Sequence, residues 1–194
     1  TFTCGEGGMI VTNSEELAKK ARSLKNLSYG KLNRFVHDDI GFNYRLPNIS
    51  AALGLGQLSQ KEKIFFEKKR IYERYKKNLE NIKGINIPLI RKWVTKYIMW
   101  VFNLHLDGNF PITRDQLVKK LDEKNIETRN AFAPINKQKI LIKKYGLFKE
   151  DECPNANYIM DNGLYLPSGN TITNSEIDFI CNTIKMISKS WKKE

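Results

Sequence analysis

Cysteine and histidine are scarce. Three cysteines (Cys4, Cys153, Cys181) and two histidines are scattered over 194 residues, with no CxxC pair. The odd count argues against a disulfide framework and the spacing against a zinc site, so no metal is expected. A reducing, cytoplasmic setting is expected with it. Long apolar runs are also missing. Nothing approaches the roughly 20 residues that span a bilayer, and no membrane partner is expected. The opening TFTCGEGG has neither the look of a secretory leader nor an initiator Met, and the chain is expected to begin inside a longer protein. Acidic residues are few against basic ones, 21 to 33, for a net charge of +12. The lysines spread over helical faces at 61–77 and 137–144 and over the tail at 189–193, the pattern of a solvated surface. Steering of an anionic small substrate is the competing reading. No stripe of alternating aromatics and arginines occurs, so nucleic acid is not an expected partner.

What is present suffices for a core: 41% of residues are apolar and 11% aromatic. The length suits one large domain or one and a half ordinary ones. Gly8 to Thr12 reads as a short strand. Asn13 or Ser14 caps a helix to about Asn26, with Glu15 and Glu16 in its first turn. Residues 27–46 follow neither helical nor strand period; a loop so long is usually functional. Pro47 to about Asn81 reads as one long helix, its first half buried through Ile49, Ala52, Leu53, Leu55 and Leu58. Its second half carries Phe65, Phe66, Tyr72, Tyr75 and Leu79 on one side. Further on come a strand at 97–106, a Thr113/Gln116 capping box opening a helix, and a short strand at 126–129. A lysine-rich helical stretch, a short helix at 155–161 and a strand end at 164–166 follow. A second capping box, Thr173/Glu176, opens the last amphipathic helix. The sum is the remnant of an α/β body, a bridging helix and a small α+β domain.

Two segments carry the chemistry. In TFTCGEGGMIVTN, glycines bracket Glu6 and let the backbone turn sharply and approach a ligand; a plain turn before a strand is the alternative. In DIGFNYRLPNISAALGLGQL, an extended run ends in Asn43-Tyr44-Arg45 just ahead of the Pro47 helix. An amide and a guanidinium at a helix mouth suit a small anion.

These segments resemble the sugar-nucleotide aminotransferases of the DegT/StrS type, which have the aspartate-aminotransferase fold. GEGGMIVTN, HDDIGFNYRLPNISAALGLGQL, the helix near Arg70, IETRNAFAPINKQ and GLYLPSG with a terminal helix occur in that family's order. The tail is most similar to perosamine-synthase-like members. The resemblance implies an α/β fold: the C-terminal part of a fold-type I transferase dependent on pyridoxal 5′-phosphate. The end of the large domain would occupy 1–46, a long interdomain helix 47–82 and a small α+β domain 83–194. It implies transfer of an amino group from glutamate to C4 of a nucleotide-linked 4-keto-6-deoxyhexose. It also implies a homodimer whose active sites are shared across the interface. The lysine that holds the cofactor would sit one position ahead of Thr1, so no catalytic residue is expected within the chain. Either the chain is a C-terminal fragment or the sequence is broken at that modified lysine, and the second is expected. A dehydratase with histidine in the lysine's place, and a non-catalytic fragment or interaction module, are the alternative readings.

Residue by residue, the resemblance assigns Gly5, Gly7 and Asn43 to the cofactor, Asn43 reaching the phosphate of the neighbouring subunit. An Asx turn before Pro47 is the bland reading of Asn43. Arg45 is assigned to the donor carboxylate or the substrate diphosphate, against a structural pair with Asp38 or Asp39. His37 contacts substrate or holds its loop. Arg129 faces the sugar nucleotide or pairs with Glu127. Asn136 stands where many members carry histidine after the proline; it keeps a hydrogen bond but loses titration near neutral pH. Tyr44 and His105 are expected to be packing residues; Tyr97 and Trp100 line the substrate side or, as strand spacing favours, belong to the core.

Overall fold

The computed structural model describes residues 1–37, 39–146 and 153–190. It divides the chain into two compact units, Phe2–Lys61 and the residues from Glu62 onward, which Thr1 joins.

In the first unit, α1 (Glu15–Lys25) is capped by Ser14, whose side chain accepts from the Leu17 N–H at 3.2 Å, with Glu15 and Glu16 in the first turn. The strand expected at 8–12 is absent among the described residues. No segment there pairs with it, and Met9, Ile10 and Val11 stand 78–89% exposed. A strand needs a ladder partner; alternation alone does not make one. Helix α2 (Asn48–Ser59) starts directly after Pro47. It is apolar on all sides, yet none of its residues is buried, contrary to the expected buried first half.

The long helix expected from 47 to 81 is interrupted at Gln60, where φ −103° and ψ 16° leave the helical region, and α3 (Lys61–Leu79) follows. The buried stripe of α3 is Ile64, Lys68, Ile71, Tyr72, Tyr75 and Leu79, at the spacing of one helical face. Phe66, expected on that face, is exposed, and Phe65 lies under the Lys96 ammonium at 4.3 Å.

The second unit is a four-stranded antiparallel sheet with helices. Its strands are β1 (Ile85–Asn86), β2 (Phe102–Leu106), β3 (Arg129–Asn130) and β4 (Gly163–Leu166), in the order β1-β2-β4-β3. Phe102, Leu104 and Leu106 of β2 and Leu164 and Leu166 of β4 point inward. They meet the α3 stripe, Leu117 and Leu121 of α4 (Arg114–Asp122), and Ile177, Ile180, Cys181 and Ile184 of α7 (Asn174–Ser190). Both capping boxes form. Thr113 and Gln116 exchange bonds at 2.9 and 3.3 Å, Thr173 and Glu176 at 2.7 and 3.2 Å. A 3₁₀ turn (Ile135–Lys137), α5 (Lys139–Tyr145) and α6 (Pro154–Asn162) complete the unit.

Strand β2 begins at Phe102 rather than 97, for a local reason. The Trp100 carbonyl accepts from Lys68 and the Phe102 N–H donates to Ser168 Oγ at 3.1 Å, so side chains take the groups a ladder would need. Tyr97 and Trp100 are consequently not core residues: they are 42% and 59% exposed. The short strand expected at 126–129 forms only at 129–130, with Ile126 buried ahead of it.

Candidate active site

The loop between α1 and α2 is tied to the end of α1 by backbone hydrogen bonds. Phe42 N–H donates to Leu24 O (2.6 Å), Tyr44 N–H to Lys25 O (2.9 Å) and Leu27 N–H to Phe42 O (3.0 Å). This lays 42–44 antiparallel to 24–27 and pairs Asn43 with Asn26. The turn costs backbone strain: Leu27 and Ser28 hold φ of +67° and +48°, which side-chain-bearing residues rarely adopt. Gly41 permits the close approach, since a Cβ there would lie 2.2 Å from the Leu27 carbonyl carbon. His37 closes the loop. Its Nδ1–H donates to Leu27 O at 2.6 Å, and its ring lies 5.3 Å from Tyr29.

On this frame Asn43 and Arg45 form a pair. Arg45 Nε donates to Asn43 Oδ1 at 3.0 Å, which turns the Asn43 Nδ2 donor outward with no hydrogen bond among the described residues. Of the two expected rivals for Arg45, Asp39 pairs with Lys20. That bond, with the Ile40 N–H at 2.8 Å, holds the Asp39 carboxyl below its ordinary range. Asp38 lies outside the described residues. Tyr44, largely exposed, stacks on Phe42 at 5.2 Å. The opening turn belongs to the same unit. Gly5 has φ +81°, and a Cβ on Gly7 would lie 2.8 Å from Cys4 Sγ and 3.3 Å from Leu46, three residues beyond Asn43. An amide donor, a guanidinium and a glycine turn are groups a phosphate can use.

The other expected site residues lie in the second unit. Arg129 pairs across the sheet with Tyr165, and its guanidinium meets Glu127 at 3.5 Å with both side chains largely exposed. Asn136 is buried, its Nδ2 donating to Asn157 Oδ1 at 2.9 Å, so it fastens the 3₁₀ turn to α6. His105 is structural. Tyr158 packs edge-on at 5.9 Å, and burial lowers the His105 pKa, partly offset by Asp107.

Sequence reasoning missed two features here. Lys68, grouped with solvated lysines, is 8% exposed and donates to Trp100 O (2.9 Å) and Ser168 O (2.8 Å); burial lowers its pKa. Its place four residues after Ile64 and three before Ile71 was the available signal. The second is the stacking of exposed Phe132 on exposed Trp100, beside the half-buried Tyr165. No group of acidic, histidine or cysteine side chains suited to a metal occurs among the described residues. No helix among them is long and apolar enough to cross a membrane.

Comparison with known proteins defines the class. The DegT/DnrJ/EryC1/StrS aminotransferase family profile matches residues 1–185, and the chain belongs to that family. Among its relatives are the GDP-perosamine synthases of Vibrio cholerae, 33% identical over 186 residues, and Caulobacter vibrioides, 31% identical over 187. These alignments cover 95% and 96% of this chain but 49% of each relative, so the chain spans about half the length of the curated relatives it matches. In fold it is similar to Helicobacter pylori PseC, an aminotransferase involved in the biosynthesis of pseudoaminic acid. That match has a TM-score of 0.79 at 18% identity, over 93% of this chain and 48% of the other. The family's cofactor is pyridoxal 5′-phosphate.

Proposed function

We propose that this chain serves a pyridoxal-phosphate-dependent transfer of an amino group from glutamate to C4 of a nucleotide-linked 4-keto-6-deoxyhexose, giving a perosamine-type product. The observation that carries the reading is the Asn43–Arg45 pair, two outward donors on a strained, hydrogen-bonded loop. Its direction comes from the relatives, whose names specify GDP-perosamine synthesis.

Bound pyridoxal phosphate supplies the electron sink for loss of a proton beside the transferred nitrogen. The chain's own residues bind and orient. Asn43 donates its free N–H to the cofactor phosphate of a second subunit, adding no charge of its own. Arg45 keeps that amide facing outward, and its remaining N–H groups fork onto the glutamate carboxylate or the diphosphate. Gly5 and Gly7 hold the opening turn close to the cofactor, where a side chain would intrude. By the family resemblance, the covalent lysine would sit one position ahead of Thr1. A homodimer also gives the uncovered apolar faces of α2 a surface to bury against.

Incubation of the intact protein with pyridoxal phosphate, glutamate and GDP-, UDP- or dTDP-linked 4-keto-6-deoxyhexose tests this, with product masses read by mass spectrometry. Amino sugar formed with 2-oxoglutarate in equal amount supports it; keto sugar returned unchanged from every nucleotide sinks it.

A further inference from the structure

Helices α3 and α7 run side by side in the same sense, joined by side chains at regular steps. Arg70 donates to Asn174 Oδ1 and to Ile172 O, Arg74 pairs with Asp178, and Lys185 Nζ donates to Asn78 Oδ1 at 2.9 Å. The seam between them opens into a cavity of about 650 Å³, a size common for metabolite sites. None of the residues given a role in amino transfer lines it.

Most charges along the seam are already answered. Glu73 meets Lys69 at 3.7 Å and Arg70 meets Glu67 at 2.8 Å. Asp178 accepts from Arg74 Nε at 2.9 Å and from its Nη2, and these bonds hold the Asp178 carboxyl below its ordinary range. Three donors remain uncommitted. Arg74 Nη1 has no hydrogen bond among the described residues. Lys77, one turn further along α3, has neither an ion pair nor a hydrogen bond among them. Asn182, one turn beyond Asp178 on α7, has no partner for its amide among them either. The Arg74–Asp178 clasp fixes the guanidinium, and the other two donors follow it by one turn, each on its own helix. A spare guanidinium edge, an ammonium and a neutral amide can each meet one of the three terminal oxygens of a phosphate group; a carboxylate has only two. Lys77 and Arg74 also supply the positive charge that a doubly charged head needs.

We propose that this groove binds a small-molecule phosphomonoester, its phosphate held by Arg74, Lys77 and Asn182 and its organic body lying along the seam.

The intact protein, loaded with pyridoxal phosphate and freed of excess, is exposed to phenyl phosphate, or to benzoate as a carboxylate of similar shape. Brief acetylation followed by mass spectrometry then reads the accessibility of each lysine. Phenyl phosphate should slow the acetylation of Lys77 severalfold and leave Lys76, which faces Glu80 at 3.9 Å and does not line the groove, unchanged. Half-protection of Lys77 should need about threefold more phenyl phosphate in Asn182→Leu, which loses a neutral donor, and about tenfold more in Asn182→Asp, which adds a like charge. Arg74→Lys keeps a cation for Asp178 without the spare edge and should need about tenfold more as well. Asn182 is exposed, so its two variants should melt with the parent, and Lys76→Met should match the parent throughout. The groove is overturned if saturating phenyl phosphate leaves Lys77 acetylated at the free rate, if Lys76 is protected equally, or if both Asn182 variants are protected like the parent. Benzoate that protects Lys77 as well as phenyl phosphate does would overturn the assignment to a phosphate.

Discussion

Replacing Lys68 with methionine isolates one buried cation and the two segments it joins. The ammonium is 8% exposed, forms no ion pair among the described residues, and donates to Trp100 O at 2.9 Å and Ser168 O at 2.8 Å. Hydrogen bonds from a charged donor contribute about 1.5–3 kcal/mol each, so the pair is worth about 3–6 kcal/mol before desolvation. Methionine keeps the stem's packing and avoids burying a charge, which returns about half of that sum. The expected net loss is therefore about 2–3 kcal/mol in the free energy of unfolding, read by urea titration at pH 7. The pH dependence gives a second sign. Burial lowers the Lys68 pKa, so between the folded value and the ordinary 10.5 the unfolded state binds more protons. Stability from this group thus rises with pH, and the parent's advantage over Lys68→Met should widen from pH 7 towards 10. A Met variant as stable as the parent at pH 7, with a gap that narrows on raising the pH, would refute the reasoning.

Three further outcomes follow from the coordinates. Asn43→Asp puts a carboxylate where a phosphate is proposed; cofactor affinity, followed by visible absorbance, should fall at least about tenfold, while Asn43→Gln should lose less. Burial pushes the Cys181 thiol up to about 12, whereas Cys153 is exposed. A thiol reagent at pH 8 should therefore label Cys153 in the native protein and Cys181 only after denaturation. Gly41→Ala forces a Cβ to within 2.2 Å of the Leu27 carbonyl carbon, so the loop must shift. Proteolysis at 27–42 should speed up, with little change in the melting of the sheet unit.

The parts legible in the sequence are those whose physics is local. Ser14, Thr113 and Thr173 cap the helices they were expected to cap, because a cap is settled by residues three positions apart. The family was legible for a related reason: GEGG and GFNYR are short, ordered signatures, and the profile match over residues 1–185 agrees with them. Gly8–Thr12 and α2 were misjudged because hydrophobicity says that a segment is to be covered, and only neighbours in space say by what.

By itself, then, the chain's order of residues determined where the capped helices start, which family it joins and which loop carries the amide and the guanidinium. Tertiary structure alone decided that Lys68 is buried on two carbonyls, that Asn136 is a fastener, and that exposed Phe132 stacks on exposed Trp100. The physical reason is range. Capping and turn formation act over a few bonds of backbone, whereas burial of a charge or exposure of a ring depends on segments up to 100 residues away, as the Lys68–Ser168 contact does.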